Sequence, residues 1–405
     1  MSESLGGSIG GSIGGSIGGS IGGSIGGSIG GSIGGSIGGS IPPSAGSSSL
    51  MMEALLRHRA ASIDYGATAV PWSLPDRSAN PKRLFHWDPW VRSYLTAQEL
   101  IQAFDFKLGQ VPWHGTQLPS VTLRATSSRD GSLGGSPQAL VTLVAPPIGV
   151  FEQQVDQVLD WAELREERVP EILAQIDNQH NFWGMLIPVQ TDRLKRTREL
   201  LEAAVRVAVF VEMRFKHSLA CWRPIDYSPQ VQPIIDTPGH GALPSGHCTE
   251  SYVIYEVLMA LLNSSTETKA DEGRRSLNRQ FRYLAERIAM NRVIAGVHFP
   301  VDNVAGRMLG VTLGRYIAHR FSAGKTIDLY AATFDGRKFS GSDVFDPTNQ
   351  RVAKHDEDCA VEGDTKFYSW SKQALKPFDD PASDILDPLW QAAMSEVVEL
   401  GLRFA

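Results

Sequence analysis

Apolar residues recur at three- and four-residue intervals through the second half of the chain, with polar residues filling the opposite face, the pattern of amphipathic helices. Leu194, Leu200, Ala204, Val207, Val211 and Phe215 mark one long helix from Asp192 to about Ala220. Further helices are predicted over 151–165, 170–179, 247–262, 271–295 and 301–321. Nearer the N-terminus a short helix is predicted over 52–62. Another opens at Thr96, read as a capping residue ahead of Ala97 to Phe104 with Glu99 three positions on. Residues 120–126 and 139–144 instead alternate β-branched and polar types around Asp130-Gly131 and Gly134-Gly135, which predicts a β-hairpin. The stretch 334–381 reads as polar loop, and 388–402 as a last helix that docks back on the others. The expected fold class is all-α, a helical bundle with one small hairpin as decoration.

Residues 6–41 depart from this pattern, being nine consecutive copies of Gly-Gly-Ser-Ile. One apolar residue in four buries too little surface to offset the entropy of ordering the backbone, and a period of four fits neither a strand nor a helix face. Residues 1–49 are therefore expected to form a disordered arm. Beyond it the expected organisation is an N-terminal helical region with the hairpin over 50–149, a helical core over 150–325, and a loop-rich tail with a terminal helix over 326–405.

Composition narrows the partners. The 405-residue chain is 42% apolar and 20% charged, which excludes a wholly disordered protein. It carries 38 Lys and Arg against 44 Asp and Glu, a net charge of −6, so nothing points to nucleic acid. The apolar runs 200–215 and 253–262 are interrupted by Glu202, Arg206 and Glu212 and by Glu256, so no membrane span is expected. Cys221, Cys248 and Cys359 show no zinc-ligand spacing, and no basic region followed by an apolar one opens the chain. A reduced, cytoplasmic compartment is expected.

Three segments concentrate candidate chemistry. In Lys216-His-Ser-Leu-Ala-Cys-Trp-Arg223-Pro224, seven residues of helix would place Lys216 and Arg223 on one face, about 10 Å apart along the axis. Pro224 disfavours helix at Arg223, which is expected at a helix end and pointing outward. Trp222 beside it is expected in the core. In Pro244-Ser245-Gly246-His247, Ser245 is a candidate N-cap, Gly246 admits close backbone approach, and the helix start offers N–H groups to an anion. In Arg292-Val-Ile-Ala-Gly296-Val-His298-Phe-Pro300-Val-Asp302, Arg292 and His298 converge only if the helix breaks, and Gly296 and Pro300 supply that break. Asp302, four residues after His298, is placed to accept a hydrogen bond from one imidazole nitrogen. Three cations, a hydroxyl, a helix N-terminus and two histidines together suit a multiply charged tetrahedral oxyanion, phosphate or vanadate.

The ordered triple Lys-x6-Arg-Pro, Pro-Ser-Gly-His and Arg-x5-His-x3-Asp resembles the signature of the type 2 phosphatidic acid phosphatase and vanadium-dependent haloperoxidase superfamily. The resemblance implies a helical bundle in which Lys216, Arg223, Ser245, Gly246 and Arg292 hold the equatorial oxygens. His298 becomes the axial vanadate ligand or the nucleophile that forms phosphohistidine, His247 the acid-base residue, and Asp302 the residue that orients His298. The chain has Asn291 where the family usually writes Ser, and its compact motif spacing is closer to soluble bacterial acid phosphatases. His240, seven residues before His247, stands where members resembling bromoperoxidases have histidine and chloroperoxidases have phenylalanine, making it a halide-pocket candidate. The implied activity is a bromo- or iodoperoxidase with a vanadate cofactor, acting on hydrogen peroxide and halide. The alternative is a phosphomonoester hydrolase needing no cofactor. Members of the superfamily often form homo-oligomers.

Overall fold

The segment Lys195–Leu219 is one uninterrupted helix of 25 residues, because its apolar positions return on one face and no proline or glycine falls inside it. It is the longest element of a computed structural model that describes residues 84–126, 137–176, 179–265, 272–322, 329–340, 367–371 and 383–400, with 53, 54, 56–58 and 61. The arm over 1–49 and the glycine-rich turn between 126 and 137 lie outside the described residues, as do 52, 55, 59, 60 and 62 of the helix predicted over 52–62, whose described residues are helical.

In chain order the main elements are α1 (Pro89–Ile101), β1 (Phe104–Trp113), β2 (Thr116–Ala125), β3 (Gln138–Val144), α2 (Ile148–Trp161), α3 (Arg165–Ala174), α4 (Lys195–Leu219), α5 (Gly246–Ser265), α6 (Glu272–Ile294), α7 (Pro300–Phe321), β4 (Ala332–Asp335), β5 (Tyr368–Trp370) and α8 (Leu386–Glu399). Thr96 is not a cap. It lies inside α1, and its hydroxyl donates back to Arg92 O at 3.1 Å. Pro170 likewise falls inside α3, which begins at Arg165.

The all-α expectation does not hold. The protein is mostly helical, but it carries a five-stranded mixed sheet in the order β1-β2-β3-β4-β5. β1 and β2 form a hairpin through His114 and Gly115, whose positive φ values of 42° and 81° suit a tight two-residue turn. β2 pairs antiparallel with β3, β3 parallel with β4, and β4 antiparallel with β5. β1 was hidden because Gly109 and Pro112 interrupt its alternation, and β4 and β5 are short strands within the tail that reads as polar loop. The sheet packs on the helices through ring contacts, Phe104 on Tyr316 of α7 at 5.2 Å and Phe106 on Phe215 of α4 at 6.1 Å.

The centre of the bundle is the pair α5 and α7. Gly306, Gly310 and Gly314 form a four-residue repeat on α7, and a Cβ at Gly310 would stand 2.5 Å from Thr249 O of α5. Only glycine lets the two backbones approach so closely. This approach brings the start of α5 against the start of α7, where Ser245 N donates to Asp302 O at 2.9 Å. At the opposite end of α4, the Glu396 carboxylate of α8 accepts from Arg196 N and Thr197 N at 2.8 Å each, filling orphan donors of the helix N-terminus. Among the described residues, no helix is long and apolar enough to cross a membrane.

Candidate functional site

Lys216 lies in the last turn of α4, which ends at Leu219 with Ala220 in the left-handed conformation. Arg223 therefore reaches the site from an extended segment after the helix and not from a shared helix face. It does not point outward either, being 3% exposed. Its Nε donates to His240 O at 3.0 Å, Nη1 to Val297 O at 2.6 Å, and Nη2 to His240 Nδ1 at 3.1 Å. Trp222, between the buried Cys221 and Arg223, is 66% exposed and so is no core residue, since alternate residues of an extended segment face opposite ways.

The Lys216 ammonium, itself buried, donates to the carbonyls of Gly241, Ala242 and Pro244. This draws the loop preceding α5 over the end of α4. Ser245 directly precedes α5, fully buried, and its hydroxyl oxygen has no hydrogen-bond partner. A side chain at Gly246 would meet Glu212 Oε1 at 2.7 Å, so the position has no room for one.

The third segment breaks where its glycine and proline stand. Gly296 adopts φ +86°, and α7 starts at Pro300 after an extended Phe299. Asp302 Oδ2 accepts from Phe299 N at 2.8 Å and pairs with His298 Nδ1 at 3.0 Å. Arg223 Nη1 lies 3.0 Å from His298 Nε2. A guanidinium can only donate, so Nε2 is the acceptor and the ring proton sits on Nδ1, facing Asp302. On the other side, His247 Nε2 meets Gln175 O at 2.9 Å and must donate to that carbonyl, which leaves His247 Nδ1 unprotonated.

Burial governs the electrostatics. It lowers Lys216 to about 8, against the pull of Glu212, and lowers Arg223 and Arg292 to about 10 each. His247 falls to about 3 through burial and the charge of Arg292, and His298 drops well below the ordinary histidine range through burial, Arg223 and Lys216. Both rings are neutral near pH 7. Burial raises Asp302 to about 7 despite the Phe299 N–H, and raises Glu212 well above the usual carboxylate range, with Glu250 adding to it. Burial also pushes the Cys221 and Cys248 thiols up, consistent with inert packing residues.

The contacts form two groups: Arg223, His240, His298, Asp302 and Ser245 with Lys216 on the loop before α5, and Arg292 and His247 meeting at Gln175, with His247 and Gly246 following Ser245 in the chain. The sequence does not reveal the layer behind them. Arg165 of α3 donates to Ile294 O at 2.8 Å and to Gln232 O and Val231 O at 2.9 Å, clamping the turn at Gly296. Asn291 Nδ2 donates to Gln175 Oε1 at 3.0 Å and Glu171 Oε2 at 3.1 Å, which gives the asparagine a physical reason to stand there.

Residues 199–324 match the family model of the PAP2 superfamily, and the chain carries a domain of that superfamily, which has both phosphatase and haloperoxidase members. No curated protein sequence matches the chain.

Proposed function

We propose that the protein is a vanadium-dependent haloperoxidase of the bromide or iodide type, with a phosphomonoester hydrolase using the same residues as the second reading. One observation supports an oxyanion site under either. The ammonium of Lys216 and the guanidinia of Arg223 and Arg292 are buried and donate to neutral acceptors, and among the described residues none lies within ion-pair distance of a carboxylate. Glu212, Asp302 and Glu250 act on these cations without a direct ion pair, so the buried charge remains costly and a multiply charged anion offsets part of that cost. The partnerless, buried Ser245 hydroxyl supports the same reading.

In the haloperoxidase reading, His298 Nε2 would hold vanadate, and Lys216, Arg223, Arg292, Ser245 and the Gly246 backbone would take its oxygens. Bound vanadate supplies a Lewis-acidic centre that activates hydrogen peroxide toward halide without changing oxidation state. His247 Nδ1, left unprotonated because Nε2 donates to the Gln175 carbonyl, takes a proton from the incoming peroxide. His240, against Arg223, is where the chain favours bromide or iodide.

The hydrolase reading is supported by His298 itself, a neutral imidazole whose Nε2 lone pair accepts from Arg223 and is released for attack when that guanidinium turns to the phosphate oxygens. That nitrogen attacks phosphorus, the ester oxygen leaves as alcohol with a proton from His247, and water then cleaves the N–P bond while His247 takes its proton back. His247 holds that proton near pH 7 only when a bound dianion offsets the burial and the Arg292 charge that depress it.

The deciding experiment is bromination of a dione reporter with hydrogen peroxide and bromide, before and after orthovanadate loading. Activity only after loading is the expected result. No bromination, with vanadate-inhibited hydrolysis of a nitrophenyl phosphate in the same preparation, selects the hydrolase.

A further inference from the structure

Gln175 caps α3, is 1% exposed, and touches both halves of the site. Its backbone carbonyl accepts from His247 Nε2, and its side-chain Oε1 accepts from Arg292 Nη2 at 3.1 Å and Asn291 Nδ2 at 3.0 Å. Its own Nε2 is buried without a partner. The other acceptor on Arg292 Nη2 is the carbonyl of Ile172, at 3.0 Å. The nearby acid of the same helix, Glu171, is engaged elsewhere: it accepts from Arg287 Nε at 2.7 Å and from Asn291. Glu250 acts on Arg292 only at longer range.

We propose that Gln175 is a positioning residue whose neutrality is functional: it orients Arg292 and fixes the His247 tautomer while leaving the full guanidinium charge for a doubly charged oxyanion. A glutamate here would accept the same two hydrogen bonds, but its carboxylate would cancel the Arg292 charge and make the site prefer ligands of lower charge. The uncharged amide gives the geometry without that cancellation. The inference rests on the oxyanion reading of the site.

The test compares Gln175→Glu and Gln175→Met with the native chain, using orthophosphate and orthovanadate as probes in titration calorimetry. Gln175→Glu is expected to weaken both at least about tenfold at pH 7.5, the scale of one close opposing charge. The deficit relative to the native chain should shrink as pH falls and the introduced carboxyl protonates. Gln175→Met keeps the charge of Arg292 and is expected to weaken binding by less than about threefold. A purely structural role predicts the reverse order, since glutamate reproduces the hydrogen bonds and methionine does not. Unchanged or tighter binding in Gln175→Glu overturns the inference. So does a tenfold loss in Gln175→Met, which carries the test alone if the glutamate variant does not fold. If the native chain binds neither anion, the oxyanion reading fails first.

Discussion

Arg223 Nη1 stands 3.0 Å from Nε2 of His298, and Asp302 Oδ2 stands 3.0 Å from Nδ1 of the same ring. The two contacts together fix the imidazole's tautomer and aim its lone pair into the cluster of cations. The Nε2 lone pair accepts from Arg223, so in the proposed reactions Nε2 bonds a tetrahedral centre once Arg223 turns its Nη1 to that ligand's oxygens.

His298→Ala should abolish turnover under either reading, since no other imidazole occupies that position. Asp302→Asn should reduce kcat by roughly 10–100-fold, because the asparagine can orient the ring the wrong way round. Steady-state kinetics on both variants check this. An Asp302→Asn enzyme with native kcat would show that the ring needs no such partner.

The affinity for oxyanion should depend on pH through Lys216. Burial lowers this lysine to about 8, so its charge is present below that value and lost as pH rises through it. Arg223 and Arg292 keep theirs until about 10. The dissociation constant of the empty enzyme should therefore rise above pH 8, approaching tenfold per pH unit, the limit for loss of one proton. Lys216→Gln should bind more weakly throughout and lose this break between pH 7 and 9.

The close approach of α5 and α7 predicts a stability effect away from the chemistry. Gly310→Ala places a Cβ 2.5 Å from Thr249 O, a backbone atom that cannot swing aside, and should cost about 1–3 kcal/mol or more. Gly149→Ala, where a Cβ meets nothing within 4 Å, should instead stabilise the helix by about 0.5–1 kcal/mol. Denaturant unfolding of the two variants separates these opposite signs.

Arg165→Ala removes three hydrogen bonds to the backbone around Gly296 and Val231. The turn that presents His298 loses its clamp, and kcat should fall about 10–100-fold with KM less affected, because a small displacement of the nucleophile acts on the chemical step. A rise in KM with kcat unchanged would place the effect on binding instead.

Most long helices could be read from the chain because their apolar periodicity is strong: Lys195–Leu219 and Pro300–Phe321 lie within a residue or a few of their predicted limits. The sheet could not. Phe104–Trp113 alternates poorly, and Ala332–Asp335 and Tyr368–Trp370 are too short to show a period, so their pairing depends on distant partners. The motif residues were visible because basic and imidazole groups cluster near helix ends. Gln175, Asn291 and Arg165 act through carbonyls and amides on segments far apart in sequence, and spacing carries no trace of that. Arg223 lies beyond the end of its helix at Leu219, so helical spacing from Lys216 does not apply to it.

The central claim is that Lys216, Arg223 and Arg292 converge on a single oxyanion site. Calorimetric titration of the purified chain with orthovanadate and with orthophosphate tests it most directly, alongside Arg292→Ala. One anion per chain, the two competing for the same site, and a loss of affinity of about 100-fold or more in Arg292→Ala is the predicted result. Absence of saturable binding by either anion, or binding that Arg292→Ala leaves intact, would contradict it.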